Sequence, residues 1–301
     1  MLSIINHKMN KNVKHITIVK LDCVLHLIHI MRNELLKMGW KCDIIDNSEV
    51  NYYISFNNPF HYFLFLWPID IDDTIIKYKR YIVYQLEQNI NNQLSINYRQ
   101  LHQRQKLKRI YDNASLLIDY CKLNINVLNQ YYSNTFKLMN IPARYVDTTR
   151  PNNSYEYDII FIGLVNDKRN IILNQIRDKY KVLIVNNAYD EQLKHICKKA
   201  HICLNIHYYE NAILERVRLN EMLEYGIKII SEKPCQEDID ICNYYKSVHF
   251  IEMITNSYEE LFETIERVKS ENESKNASNN ASDLKQLESI FKEDIHSLFA
   301  F

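Results

Sequence analysis

Apolar and polar positions alternate between two periods along most of the chain. HITIVK (15 to 20) is a short β-branched run, and Val24 to Met38 then repeats its apolar positions at helical spacing until Gly39 stops it. The same reading predicts strands at KCDIID (41 to 46), NYYISFN (51 to 57), FLFL (63 to 66) and YIVYQL (81 to 86). A long polar helix from about Leu94 to Tyr111, a strand at SLLIDY (115 to 120), a helix from about Lys122 and a strand at ARYVDT (143 to 148) follow. TTRPNNS (148 to 154) has the proline and asparagines of a domain break. The alternation then restarts with strands at YDIIFIG (157 to 163), KVLIVN (181 to 186), HICLNIH (201 to 207), IKIIS (227 to 231) and VHFIE (248 to 252). Helices are expected from about Asp167 to Lys179, from about Asp190, and within 207 to 226. ENESKNASNNAS (271 to 282) reads as a flexible low-complexity linker, and 283 to 301 as one closing helix.

This β-α-β alternation predicts an α/β fold with parallel sheets. Two Rossmann-like domains, 1 to 149 and 150 to 270, would face each other across a cleft at the carboxyl ends of their strands, with the closing helix packing back on the first domain. Composition narrows what such a cleft could hold. Net charge is +0, so no global field recruits nucleic acid or an anionic membrane. The seven cysteines form no CxxC pair and no zinc spacing, and read as core thiols of a reducing compartment. No stretch has the length of a transmembrane helix and no signal segment is recognisable, so a cytoplasmic protein is expected. There are three glycines, where average usage of about 7% would give roughly twenty. Neither a GxGxxG fingerprint nor a Walker loop can be built from them, so any phosphate must be held by side chains and helix N-termini.

HYYENAILERVRLNEMLEYG (207 to 226) concentrates the candidate chemistry. At 100° per residue, Arg216, Asn220 and Glu224 form one polar stripe expected to face water. Arg218 lies nearly opposite, between Leu214 and Met222, with Glu215 and Glu221 three residues to either side. A guanidinium drawn under the surface there either belongs to a structural Glu–Arg–Glu cluster or holds an anionic ligand.

The second half, with its IFIG turn followed by KR, LNIHYYE, ERVRLNEMLEYG and IKIISE, resembles the donor-binding domain of GT-B glycosyltransferases, most of all bacterial and giant-virus members with an HYYE…E..R…E pattern. YIVYQLEQ and DYCKLNINVL in the first half are similar to segments of the same group, so the resemblance spans roughly 15 to 265. It implies transfer of a sugar from a nucleotide-diphosphate donor without a metal or other cofactor, to an acceptor that is unspecified, in host cytoplasm or virion if the source is viral. Arg218 would then offset the diphosphate, with Lys168 and Arg169 behind the Gly163 turn as further candidates. Solvated helix-start cations are the alternative for those two, although cations at a helix N-terminus are locally unfavourable without an anion. Glu221 stands at the second glutamate of the family's E-x7-E pattern, which contacts the donor ribose. The first falls at Ile213, so the pattern is broken, with Glu210 and Glu215 as nearby substitutes. His207 would meet a phosphate or sugar hydroxyl, or serve as a satisfied structural histidine. On the acceptor side the resemblance points to Asp22 as general base, with His26 one turn on and Glu87 in YQLEQ at the same edge. Asp22 as a helix N-cap and Glu87 as an interface group are the plainer readings.

Two other readings stay open: a GT-B-like binding or assembly module without catalysis, and a metal-dependent transferase using DIDD (70 to 73) as a DxD site, although that loop also reads as a turn. RQLHQRQKLKR (99 to 109) reads as a solvated basic helix face, not an RNA contact, and the NNS sequon (152 to 154) as idle.

Overall fold

The computed structural model describes residues 13–55, 58–68, 71–88, 101–146, 155–253 and 258–300. The TTRPNNS break, the NNS sequon, Asp70 of DIDD and the predicted helix start near Leu94 lie outside the described residues.

Strands β1 (His15–Val19), β2 (Lys41–Ile45), β3 (His61–Phe65), β4 (Tyr81–Gln85), β5 (Leu116–Asp119) and β6 (Phe136–Leu138) form a sheet in the order β2-β1-β3-β4-β5-β6. A second sheet of β7 (Tyr157–Ile162), β8 (Val182–Val185), β9 (Ala200–Asn205), β10 (Lys228–Glu232) and β11 (Val248–Ile251) has the order β11-β10-β9-β7-β8. Every pairing in both sheets is parallel. Strands β1 and β4 are buried at all five positions, as parallel strands covered on both faces must be. In each sheet the chain steps outward once and returns on the other side of its first strand, which puts a switch point between β1 and β3 and another between β7 and β9. Ligands of open parallel sheets bind in the crevice at such points.

The helices are α1 (Leu25–Lys37), α2 (Val50–Ile54), α3 (Asp73–Tyr78), α4 (Leu101–Asn113), α5 (Lys122–Tyr131), α6 (Asp167–Arg177), α7 (Asp190–Cys197), α8 (Arg216–Glu224), α9 (Glu259–Ser270) and α10 (Glu273–Leu298). Three local expectations are corrected. Most of NYYISFN is helix α2, not strand: a turn at Asn47–Glu49 precedes it, and the Glu49 carboxylate accepts from Asp46 N at 3.0 Å. That capping contact starts a helix where aromatic β-propensity favoured a strand. The described part of ARYVDT, 143 to 146, is not a strand, and Arg144 pairs with Glu224 instead. The segment 271 to 282 is not a flexible linker, because from Glu273 onward it belongs to α10. Its small polar residues hide a buried stripe: Asn276, Ala277, Asn280, Asp283, Leu284, Leu287, Phe291 and Ile295 face inward at three- and four-residue spacing.

Helix α10 has 26 residues, which makes it roughly 39 Å long. Its first turns are tied to the second domain, where Asn276 Nδ2 donates to Gly226 O at 3.3 Å and Asp283 accepts from Ser247 N and Oγ at 2.7 and 2.6 Å. Its last turns lie on the first domain. Asp294 accepts from Asn140, His296 reaches Glu34 at 2.9 Å, and Phe291, Ile295 and Phe299 join the core around α1. The helix is therefore a strap across both halves. Among the described residues no helix is long and apolar enough to cross a membrane.

Candidate active site

The carboxyl ends of β7, β9 and β10 gather most of the predicted donor residues. Gly163 follows β7 with φ +123°, a conformation closed to most L-residues, and a Cβ built on it would lie 3.1 Å from Arg218 Nη2 and 3.7 Å from Arg169 Nη1. The chain turns here because glycine lets two guanidinium groups approach the backbone. Gly163→Ala is expected to cost about 1–3 kcal/mol through backbone strain and to displace Arg218. Urea unfolding measures the first effect and donor titration the second.

Helix α6 starts just beyond this turn, capped by Asn166, whose side chain accepts from Arg169 N at 3.0 Å. Arg169 is buried and its donors are spent on the scaffold: Nε and Nη2 donate to Ile206 O at 2.9 and 2.6 Å, and Nη1 to Leu164 O at 2.8 Å. Nη2 also reaches Glu215 Oε1 at 3.0 Å, while the guanidinium lies over the Phe161 and Tyr208 rings. It braces the loops after β7 and β9. Lys168 Nζ sits 2.7 Å from Glu232 Oε1 and 3.3 Å from Glu210 Oε2. The first partner is 13% exposed and the second 73%, so the Glu210 contact is the weak one.

Arg218 reaches across from α8. Its Nη1 donates to Asn205 Oδ1 at 2.9 Å and to Glu215 Oε2, leaving Nη2 beside Gly163, and the side chain is 22% exposed. Burial raises the Glu215 pKa and the charges of Arg218 and Arg169 more than reverse it, so this carboxylate stays ionised. The Glu–Arg pairing expected around Arg218 is thus present on the Glu215 side. His207, at the end of β9, is 1% exposed, and its Nε2 has no hydrogen-bond partner. Burial lowers its pKa to about 4, so the ring is neutral at pH 7.

The outer stripe is corrected outright. Arg216, Asn220 and Glu224 are all buried, not solvated, because this face of α8 packs on the first domain and the 236–245 segment. Arg216 donates to Tyr120 O at 2.8 Å and to Asp238 at 3.2 Å, and Asn220 Oδ1 accepts from Tyr245 OH at 2.8 Å. A helical projection identifies opposite faces but cannot say that both are covered.

The first domain contributes the loop after β1. Asp22 begins a short turn, Asp22–Val24, and its exposed carboxylate lies 2.9 Å from Lys20 Nζ. Burial raises the Cys23 thiol pKa, and the charges of Glu87, Asp22 and Glu221 raise it further. Asn124 Nδ2 donates to Glu87 O at 2.9 Å, fixing that backbone. His26 is buried with Nε2 unpartnered, and its Nδ1 is 3.5 Å from Glu221 Oε1 across the domain boundary. Sequence reasoning put His26 on the acceptor side and Glu221 at the donor without foreseeing that the two meet. In the described part of DIDD, Asp72 accepts from Ile75 N to cap α3, and Asp73 pairs with Arg109.

Burial raises the Glu221 pKa to about 7 and lowers that of His26 to about 3. A raised carboxyl adds stability below its unfolded value of 4.5 that is lost as pH rises through about 7, by roughly 3 kcal/mol. A depressed histidine adds stability above 6.5 that is lost as pH falls towards 3. The melting temperature should therefore peak in mildly acidic buffer. Burial raises Glu224 to about 7 as well, so Glu221→Gln should remove part of the decline between pH 5 and 8, and an unchanged alkaline limb would contradict this origin.

Comparison with solved structures agrees with this geometry. The chain superposes on HepE from Anabaena, solved in complex with UDP and glucose, with TM-score 0.62, 8% identity, and 96% and 98% of the two chains covered. Sucrose-phosphate synthase from Thermosynechococcus elongatus gives TM-score 0.59, 11% identity and 95% and 97% coverage. AviGT4, a glycosyltransferase of avilamycin A biosynthesis, gives TM-score 0.57, 9% identity and 95% and 98% coverage. No family model and no curated protein sequence matches the chain. The fold is that of the GT-B glycosyltransferases, an α/β architecture of two Rossmann-like units.

Proposed function

We propose that the chain is a glycosyltransferase that takes a sugar from a nucleotide-diphosphate donor without a metal, and that the donor is a uridine diphosphate sugar. The observation carrying this reading is the Arg218 guanidinium held beside Gly163 at the β7/β9 switch point, next to the N-terminus of α6. HepE was solved with UDP and glucose on the same fold, which supports the choice of nucleotide.

The diphosphate would lie beside the Gly163 turn against the outer side of Arg218, with backbone donors of α6 and Lys168 completing its cradle. Lys168 would exchange its contact with exposed Glu210 for phosphate while Glu232 keeps it oriented. As the bond from the anomeric carbon to the diphosphate oxygen breaks, charge develops on that oxygen, where Arg218 stabilises it. Arg169 acts by holding the loops, and Glu215 by fixing the angle of Arg218. The neutral His207 ring would offer its unpartnered Nε2 to a sugar or phosphate oxygen. Glu221 supports a ribose contact through an oxygen that already accepts from Tyr225 OH at 2.7 Å. On the acceptor side Asp22, the most exposed of the candidates, would take the hydroxyl proton, with Glu87 and His26 holding the acceptor.

The test is nucleotide release from UDP-glucose and other nucleotide sugars in EDTA, with water or simple glycosides as acceptor. Slow UDP release that Lys168→Met and Arg218→Met both abolish is expected. Release that requires manganese would overturn the metal-free reading, and tight UDP binding with no release would favour a non-catalytic module.

A further inference from the structure

Helix α8 has a second functional face. Arg216 lies two residues from Arg218, about 200° around the helix, and lines a cavity of about 870 Å³ between the two domains. The walls come from the start of α5, the chain after β6, the 236–245 segment and α10, so both halves of the molecule contribute. None of Gly163, Lys168, His207 or Arg218 lines it. The cavity is therefore separate from the donor cluster.

Its chemistry is selective. Arg216 is 6% exposed, and although its terminal nitrogens are paired, its Nε is buried without a hydrogen-bond partner. Lys122 adds a second cation, while Asp238 and Asp240 add carboxylates close in sequence, so neither a phosphate nor a simple cation is matched. Asn126 supplies an amide able to donate and accept, and the Tyr244 ring is 36% exposed beside these groups. Amide, carboxylate and cationic groups lining one cavity with an aromatic ring suit a ligand with many hydroxyls, each both donor and acceptor, and with apolar C–H faces to lay on a ring. The volume suits a small oligosaccharide.

We propose that this interdomain cavity is a saccharide-binding site distinct from the donor cluster. Because its walls belong to both domains and to the α10 strap, an occupant would favour one relative arrangement of the halves. The site stands whether or not the chain transfers sugars.

The test is saturation-transfer NMR on the full chain with maltotriose, cellotriose, chitotriose and xylotriose at millimolar concentration, repeated with Tyr244→Ala, Asp240→Asn and Arg218→Met. Transfer to at least one trisaccharide is expected, with affinity falling at least tenfold in Tyr244→Ala and Asp240→Asn and unchanged in Arg218→Met. Both cavity positions are exposed, so the fold should tolerate them, and unchanged melting temperatures check this. No transfer from any of the four overturns the proposal. So does binding lost in Arg218→Met but kept in Tyr244→Ala, which would put the sugar in the donor cleft.

Discussion

Arg218→Met is expected to weaken binding of UDP by about 10- to 100-fold while leaving the fold intact, because a charge-assisted hydrogen bond to phosphate is worth roughly 1.5–3 kcal/mol. The guanidinium is partly exposed and has one nitrogen turned to the Gly163 turn, so its removal costs the protein mainly the pair with Glu215. Methionine keeps much of the stem that packs along α8. Removing the arginine also frees Glu215 to repel the diphosphate, although Arg169 still holds that carboxylate at 3.0 Å. Calorimetric titration of UDP in EDTA reads the change. Equal affinity in the variant would return Arg218 to a purely structural role.

Arg216→Met should do the reverse. It would leave Asp238 buried without its cation and the Tyr120 carbonyl without its donor, at a cost of about 3–5 kcal/mol. Asp238 also accepts from Leu214 N at 3.0 Å, which holds the chain entering α8. The loss should therefore spread to the domain contact instead of staying local. Urea unfolding should show a large fall in midpoint, with UDP affinity of the native fraction close to wild type. A variant as stable as wild type would mean that the buried pair contributes nothing net, as can happen when desolvation cancels attraction.

The contrast between these two arginines shows what the sequence could convey. Periodicity located most strands, because a parallel strand buried on both faces is a continuous apolar run, as in YIVYQ. It also separated the two faces of α8. It could not say that the face carrying Arg216, Asn220 and Glu224 is buried against another domain, since partners such as Asp238 and Tyr245 come from distant chain. Strand β6 was missed because three residues carry no period. Helix α10 was misjudged at its start because composition was weighed above position: Asn276, Asn280 and Asp283 are polar yet sit on the buried stripe, where Asn276 meets Gly226 O and Asp283 meets Ser247, partners that only the fold supplies. The donor residues were legible as a group because the IFIG turn and the charged helix lie near each other in the order of a known fold. Their division of labour was not. That Arg169 is spent on carbonyls while Arg218 keeps a free side follows from where Ile206 and Leu164 end up, and no spacing rule predicts it.

The most direct test of the central claim is a thermal-shift series on the full chain with UDP-, GDP-, TDP- and CMP-sugars, each with manganese and with EDTA. Selective binding to the native state raises the melting temperature by mass action. A rise with UDP-sugars that is the same in EDTA and absent in Arg218→Met is expected. No rise with any nucleotide sugar, or a rise only with manganese, would contradict it.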